Sequence, residues 1–366
     1  MPSGHAIPES PGLNNMQDGK PRQNADQSGD VDVGSEASPT ITMATVGRLA
    51  GVSQVTVSRA LNKPDKVSAE TLHRVREAIR LTGYVPNLTA ASLASRRTKL
   101  LAAFVPSITN IIYSTLIQSF TESIKGDGYQ VLLSETGFSR EGEYRAVASL
   151  LSRRPDGVLL TGVYHSAECR RLLMAANLPV IEVWDVSDTP IDVCVGFSHT
   201  QVAEAVADFV VAKRFQRVAA ITAGDERAMR RCNAFRDRLA RSGYDKVDVI
   251  PVERPTNLHG GRISLRRLLA TGFSNGVVFC SSDLLAHGVL TEAIACGISV
   301  PEELAVIGFG DQDFAAETYP ALTTVRIDRS KLGSQAAQLM LQRLKGEPFS
   351  VPRHDIGFDI VERDST

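Results

Sequence analysis

Nine times between residues 100 and 310 the chain returns to a short apolar run edged by turn or polar residues. The runs occupy 100–107, 129–136, 156–162, 179–185, 192–198, 217–223, 246–252, 275–281 and 304–310. Stretches of about 12–18 residues with helical periodicity lie between most of them. A strand that is apolar along its length, rather than at every second residue, is buried on both faces. Helices covering both faces of a parallel sheet are what bury it. Nine strands are more than one modest sheet usually holds. The pattern therefore predicts an α/β core over 99–366 of two Rossmann-like subdomains with a cleft between them. Ligands bind such folds at the carboxyl ends of the strands.

The preceding residues differ in kind. Residues 1–41 are rich in Pro, Gly, Ser, Asn, Gln and Asp, lack apolar periodicity and are predicted to be a disordered extension. Residues 42–99 carry ten Lys and Arg against three Asp and Glu, a net +7 in a chain whose overall charge is −1. A small basic block on an acidic body points to nucleic acid.

Within that block, "VSQVTVSRALN" (52–62) is rich in β-branched residues and reads as a strand on propensity alone. Strict alternation would bury Val55, Val57 and Arg59 together, with no partner strand nearby. A helix capped by Ser53 instead buries Val57, Ala60 and Leu61 at i, i+3, i+4 and turns Gln54, Val55, Thr56, Ser58 and Arg59 outward. Thr42 can cap an earlier helix with apolar positions Val46, Leu49 and Ala50, and Gly51 suits the left-handed turn that ends it. A third helix capped by Ser68 would close the core with Leu72, Val75, Ile79 and Leu81. Two short helices joined by a glycine turn form a helix-turn-helix, here over 42–85. After Pro86, Asn87 can cap a short helix over Leu88–Ser95 that is too small to be stable alone. Its apolar Leu93 is either an ordinary core residue or one offered to a partner.

The stretch "ATVGRLAGVSQVTVSRALNKPDKVSAETLHRVREAIRLTGYVPNLTAASLAS" resembles the DNA-binding head and hinge of the lactose-repressor (LacI) family. The segments "AGVS", "TVSR-x-LN", "VS-x-x-T", "GY-x-PN" and "A-x-x-L-A" stand in register. Thr45 departs from the family's usual Asp at the start of the first helix, which bears on capping. The resemblance implies a helix-turn-helix head, a hinge helix over 86–98 and a periplasmic-binding-protein-like core. The core's subdomains would be about 100–197 plus 329–354, and 198–327 plus the tail. It implies a cytoplasmic homodimer on a palindromic double-stranded operator. Gln54, Val55 and Arg59 would meet base edges. Thr42, Ser53, Thr56, Ser58 and Asn62 would contact phosphates or set the helix. Asn87, Ala90 and Leu93 would belong to a paired hinge, with Leu93 wedged into the minor groove.

In the core, the strand ends and the resemblance together nominate effector-binding residues: Ser107, Thr109, Asn110 and Tyr113 after the first strand; Trp184 and Asp185; Phe197; Arg231; Ser282 and Asp283; and Asp311 and Asp313. Asp283 is placed either to bind ligand or to cap the helix it begins. Gly310 stands where several neutral-sugar members have an acid, so with Arg231 retained the balance favours an anion. "PSITN", "EVWD", "VGFSH", "GFGDQDFA" and "LTTVRID" look most like the gluconate-operon repressors, implying gluconate or a related sugar acid as effector. The alternatives are a family member answering to a neutral sugar or a corepressor, and a cytosolic sugar-binding module.

Other classes find little support. The chain has no H-E-x-x-H, P-loop or G-x-G-x-x-G, and its seven histidines show no ligand spacing, so no enzyme, metal or cofactor is expected. Five cysteines without a C-x-x-C suit reduced thiols, and no run of about 18 apolar residues suggests a membrane span.

Overall fold

The computed structural model describes residues 41–86, 97–253, 256–348 and 351–366. All but the last residue of the extension expected to be disordered (1–41), and the hinge residues Asn87, Ala90 and Leu93, lie outside them. The chain divides between Pro86 and Asn87 into two compact units.

The N-terminal unit contains α1 (Met43–Ala50), α2 (Gln54–Asn62), a 3-10 turn at Pro64–Lys66 and α3 (Ala69–Thr82). The ambiguous 52–62 run is helical. Each start is capped by a hydroxyl: Thr42, Ser53 and Ser68 accept from the amides of Thr45, Thr56 and Thr71. Thr45 completes a reciprocal capping box with Thr42, doing locally what an acidic side chain would do there. Gly51 takes φ 65 and ends α1. The core is Val46, Ala50, Val57, Ala60, Val75, Ala78 and Tyr84. Leu49 and Leu81, expected inside, are 55% and 65% exposed. The buried stripe of α1 is Val46, Gly47 and Ala50, because a Cβ at Gly47 would stand 2.8 Å from the Val52 carbonyl oxygen; Leu49 falls beside that stripe. Leu81 lies six residues beyond Val75, roughly 120° around α3 from the buried face.

The C-terminal unit holds two six-stranded sheets. The first comprises β1 (Leu100–Val105), β2 (Gln130–Glu135), β3 (Gly157–Thr161), β4 (Val180–Val183), β5 (Val193–Gly196) and β11 (Arg353–Asp355), ordered β11-β5-β4-β3-β1-β2. The second comprises β6 (Arg217–Ala223), β7 (Val247–Val252), β8 (Gly276–Cys280), β9 (Leu304–Gly310), β10 (Thr323–Arg326) and β12 (Asp359–Val361), ordered β12-β10-β9-β8-β6-β7. All neighbours are parallel except β10 and β12. All nine apolar runs are strands, and β4, β5, β8 and β9 are buried at every residue. The short strands β10, β11 and β12 carry no such run.

The helices are α4 (Ile111–Ile124), α5 (Arg140–Leu151), α6 (Ala167–Ala176), α7 (His199–Ala212), α8 (Glu226–Arg241), α9 (Leu258–Ala270), α10 (Asp283–Ala295) and α11 (Arg329–Lys345). The chain leaves the first sheet after β5 and forms α7, which packs on α8. It returns after β10 as α11, which packs on α4, β4 and β5, and crosses again between β11 and β12. α9 and α10 meet backbone to backbone: a Cβ at Gly288 would stand 2.1 Å from the Leu258 carbonyl oxygen. No helix among the described residues is long and apolar enough to cross a membrane.

Candidate nucleic-acid interface and ligand cleft

On α2 the hydroxyl and amide side chains are largely engaged within the helix. Ser53 Oγ lies 2.9 Å from Thr56 Oγ1, and the Asn62 amide donates to the Ser58 carbonyl at 2.9 Å. Thr42 is likewise occupied at the start of α1. These groups set the helix. Gln54, Val55 and Arg59 are exposed, Val55 at 66%. An exposed valine between Gln and Arg at a helix start offers a methyl contact beside two hydrogen-bonding groups, which suits a major-groove edge.

In the C-terminal unit a cavity of about 160 Å3 lies between the ends of the two sheets. It gathers seven of the nominated effector residues: Ser107, Thr109, Asn110, Tyr113, Trp184, Arg231 and Ser282. Asp225, Arg227, Ser281 and Phe309 complete much of its wall and were not foreseen. The spacing of Arg227 and Arg231, i and i+4 behind the Asp225 cap of α8, is the signal that could have found Arg227: it puts two cations on one helix face.

Asp185 faces a neighbouring cavity instead, where its carboxylate accepts from Arg230 at 2.8 Å. Burial raises its pKa above the ordinary value against the pull of Arg230. Four further nominated residues lie off the wall of this cavity. Phe197 is fully buried behind the wall, edge-on to Trp184 at 5.7 Å, and braces it. Asp283 is also fully buried: it accepts from Thr324 Oγ1 at 2.6 Å and from the Gln312 amide at 2.7 Å, while Ser282 caps α10. Asp311 is clasped by Arg326 and Arg363 at 2.6 and 2.7 Å. Asp313, its side chain 85% exposed, turns to Arg329. The turn after β9, with Gly310 at φ 126 and Asp311 at φ 46, carries these acids to partners other than the cavity.

Behind the cavity a hydrogen-bonded chain fixes Arg231. Burial first, and then Arg231, Arg227 and Arg230, lower the pKa of His199 well below its usual value, so the ring is neutral. Its Nδ1 accepts from Arg231 Nη1 at 2.9 Å and its Nε2 donates to the Trp184 carbonyl at 3.2 Å. Arg231 also donates to the Ser281 carbonyl at 3.1 Å and lies 3.8 Å over the Phe309 ring. Burial lowers its pKa to about 10, which leaves it charged at neutral pH. Arg227 donates to Tyr113 Oη at 3.0 Å across the cleft. Trp184 is held at φ 75, a conformation that costs a bulky residue about 1–3 kcal/mol and persists only where its surroundings impose it. Here Tyr113, Phe197 and the His199 bond do so.

The comparisons with known proteins agree with this architecture. The family model described as bacterial regulatory proteins, lacI family, matches residues 42–87, and that of a periplasmic binding protein-like domain matches 207–366. The HTH-type transcriptional regulator GntR of Pseudomonas aeruginosa is 34% identical over 328 residues, covering 89% of this chain and 95% of that protein. The regulator of the same name in Escherichia coli is 28% identical over 311 residues, 85% and 94% of the two chains. A LacI family transcriptional regulator from Silicibacter pomeroyi superposes with a TM-score of 0.83 at 28% identity, over 89% of this chain and 99% of that one. With a capped helix-turn-helix ahead of a two-sheet cleft, and these likenesses spanning most of its length, the chain belongs to the LacI family of bacterial regulatory proteins.

Proposed function

We propose that this protein is a cytoplasmic, homodimeric repressor that binds a palindromic operator through α2 and is released from it by a sugar acid in the cleft. One observation carries the ligand class. Arg227 Nη1 and Arg231 Nε are buried, belong to residues that line the cavity, and have no hydrogen-bond partner among the described residues. Unsatisfied cationic donors are costly, and a carboxylate answers their charge. The hydroxyls and amide of Ser107, Thr109, Asn110 and Ser282 suit the remaining hydroxyl groups of such a ligand. The gluconate-type branch of the family fits the same chemistry. A ligand shifts the DNA-binding equilibrium only by its differential affinity for the two states of the cleft.

The test is calorimetric titration with gluconate, 2-ketogluconate and 6-phosphogluconate beside glucose and ribose, followed by operator binding at fixed salt. The expected result is binding of at least one acid, none of the neutral sugars at comparable affinity, and weakened operator binding in the presence of that acid. Binding of glucose or ribose as tight as that of any acid refutes the anion reading.

A further inference from the structure

The arginine-lined cavity does not end the cleft. Phe138, Asp225 and Arg227 wall it on one side, and the same three residues wall a second cavity of about 290 Å3 over the ends of β1, β2 and β3. The second space is nearly twice the first, about ten water molecules in volume. A six-carbon acid seated against Arg231 and Arg227 leaves it unfilled.

Its chemistry is also different. Glu143, Asp185, Asp225 and Glu226 line it with two cations, Arg140 and Arg227, beside Thr161 and Tyr164. Each of these acids is held in place: Glu143 by His165 at 2.9 Å, Asp185 by Arg230 at 2.8 Å, Asp225 by the Ala228 amide at 3.0 Å, and Glu226 by Arg230 and Arg140 at 3.5 and 3.6 Å. The Tyr164 ring, half exposed, is fixed by the Arg230 guanidinium 4.2 Å from its centroid. With four acids against two arginines, a second anionic group would meet an excess of like charge here, whereas neutral hydroxyls would find acceptors, and a ring would find an aromatic neighbour. Arg227, with its unpartnered Nη1, stands at the junction of the two spaces.

We infer that the ligand is a two-unit sugar acid of the aldobionate type, its carboxylate end on Arg231 and Arg227 and a neutral glycosyl unit in the second cavity. The inference rests on the sugar-acid reading of the first cavity and extends it.

The experiment is calorimetric titration of the full chain with lactobionate, cellobionate and maltobionate, alongside gluconate and the neutral parents lactose, cellobiose and maltose. At least one aldobionate is expected to bind tenfold or more tightly than gluconate and than its own neutral parent. Tyr164→Ala and, separately, Glu226→Gln should each reduce that advantage at least threefold, with gluconate affinity and the melting temperature unchanged. If gluconate binds but no aldobionate binds more tightly, or if the advantage survives both variants, the inference is overturned while the sugar-acid reading stands. If no acid binds, or if the neutral parents match the acids, that reading falls and the inference falls with it.

Discussion

Asp283 offers the sharpest test of how the second sheet is held. Its carboxylate is fully buried at the start of α10, between Thr324 Oγ1 and the Gln312 amide. Burial raises its pKa from the ordinary 3.8 to about 6, more than these two hydrogen bonds hold it down. The folded protein therefore keeps this proton more tightly than the unfolded chain does. The resulting stability is fully present below pH 3.8 and is lost as pH rises through about 6. A rise from 3.8 to about 6, converted at 1.36 kcal/mol per pH unit, is about 3 kcal/mol. Asparagine does not titrate, and it can accept from Gln312 while donating to Thr324. The stability of Asp283→Asn relative to the native protein should thus climb by about 3 kcal/mol between roughly pH 3.5 and pH 7.5. Urea unfolding across that range, followed by fluorescence of Trp184, the single tryptophan and a resident of the same unit, measures the difference. A difference that is flat with pH, or that falls, refutes the reasoning. Ligand affinity should be unchanged, because Asp283 is not in the cavity wall.

Three further outcomes follow from the same geometry. Burial opposes the charge on His165, but Glu143 and Glu182, at 2.9 and 3.2 Å, outweigh it and raise its pKa to about 9. That stability is present below pH 6.5 and lost as pH rises through about 9, so the advantage of the native protein over His165→Gln should shrink by about 3 kcal/mol between pH 6 and pH 10 in the same unfolding assay. Gly288→Ala places a methyl against the Leu258 carbonyl, which cannot swing aside, and should cost about 1–3 kcal/mol, read as a fall of several degrees in thermal melting. Arg231→Met removes a charge-assisted donor worth about 1.5–3 kcal/mol and should weaken sugar-acid binding roughly 10- to 100-fold in a Trp184 fluorescence titration; an unchanged affinity would exclude Arg231 from the site.

Much of this protein is written in short-range signals. Long apolar runs become buried strands wherever helices can cover them, so all nine strands are legible before any contact is known. Hydroxyls at positions 42, 53 and 68 and the glycine at 51 act within one turn of their own helices, and each does in the fold what its local chemistry demands. Period alone separates α2 from a strand. Two short strands, β11 and β12, are different: RHD and DIV become strands only because the sheets offer them edge partners, and no local pattern marks them. The cleft belongs to that second kind. Which side of a strand end faces it depends on how two sheets approach, so Phe197 becomes a brace, Asp283 a buried acceptor and Asp311 the partner of two arginines. The same approach brings Tyr113 to Arg227 and the Trp184 carbonyl to His199, pairs 114 and 15 residues apart in the chain. Local chemistry decides which elements form and where they begin; the sites between those elements exist only once packing has brought distant side chains to one place.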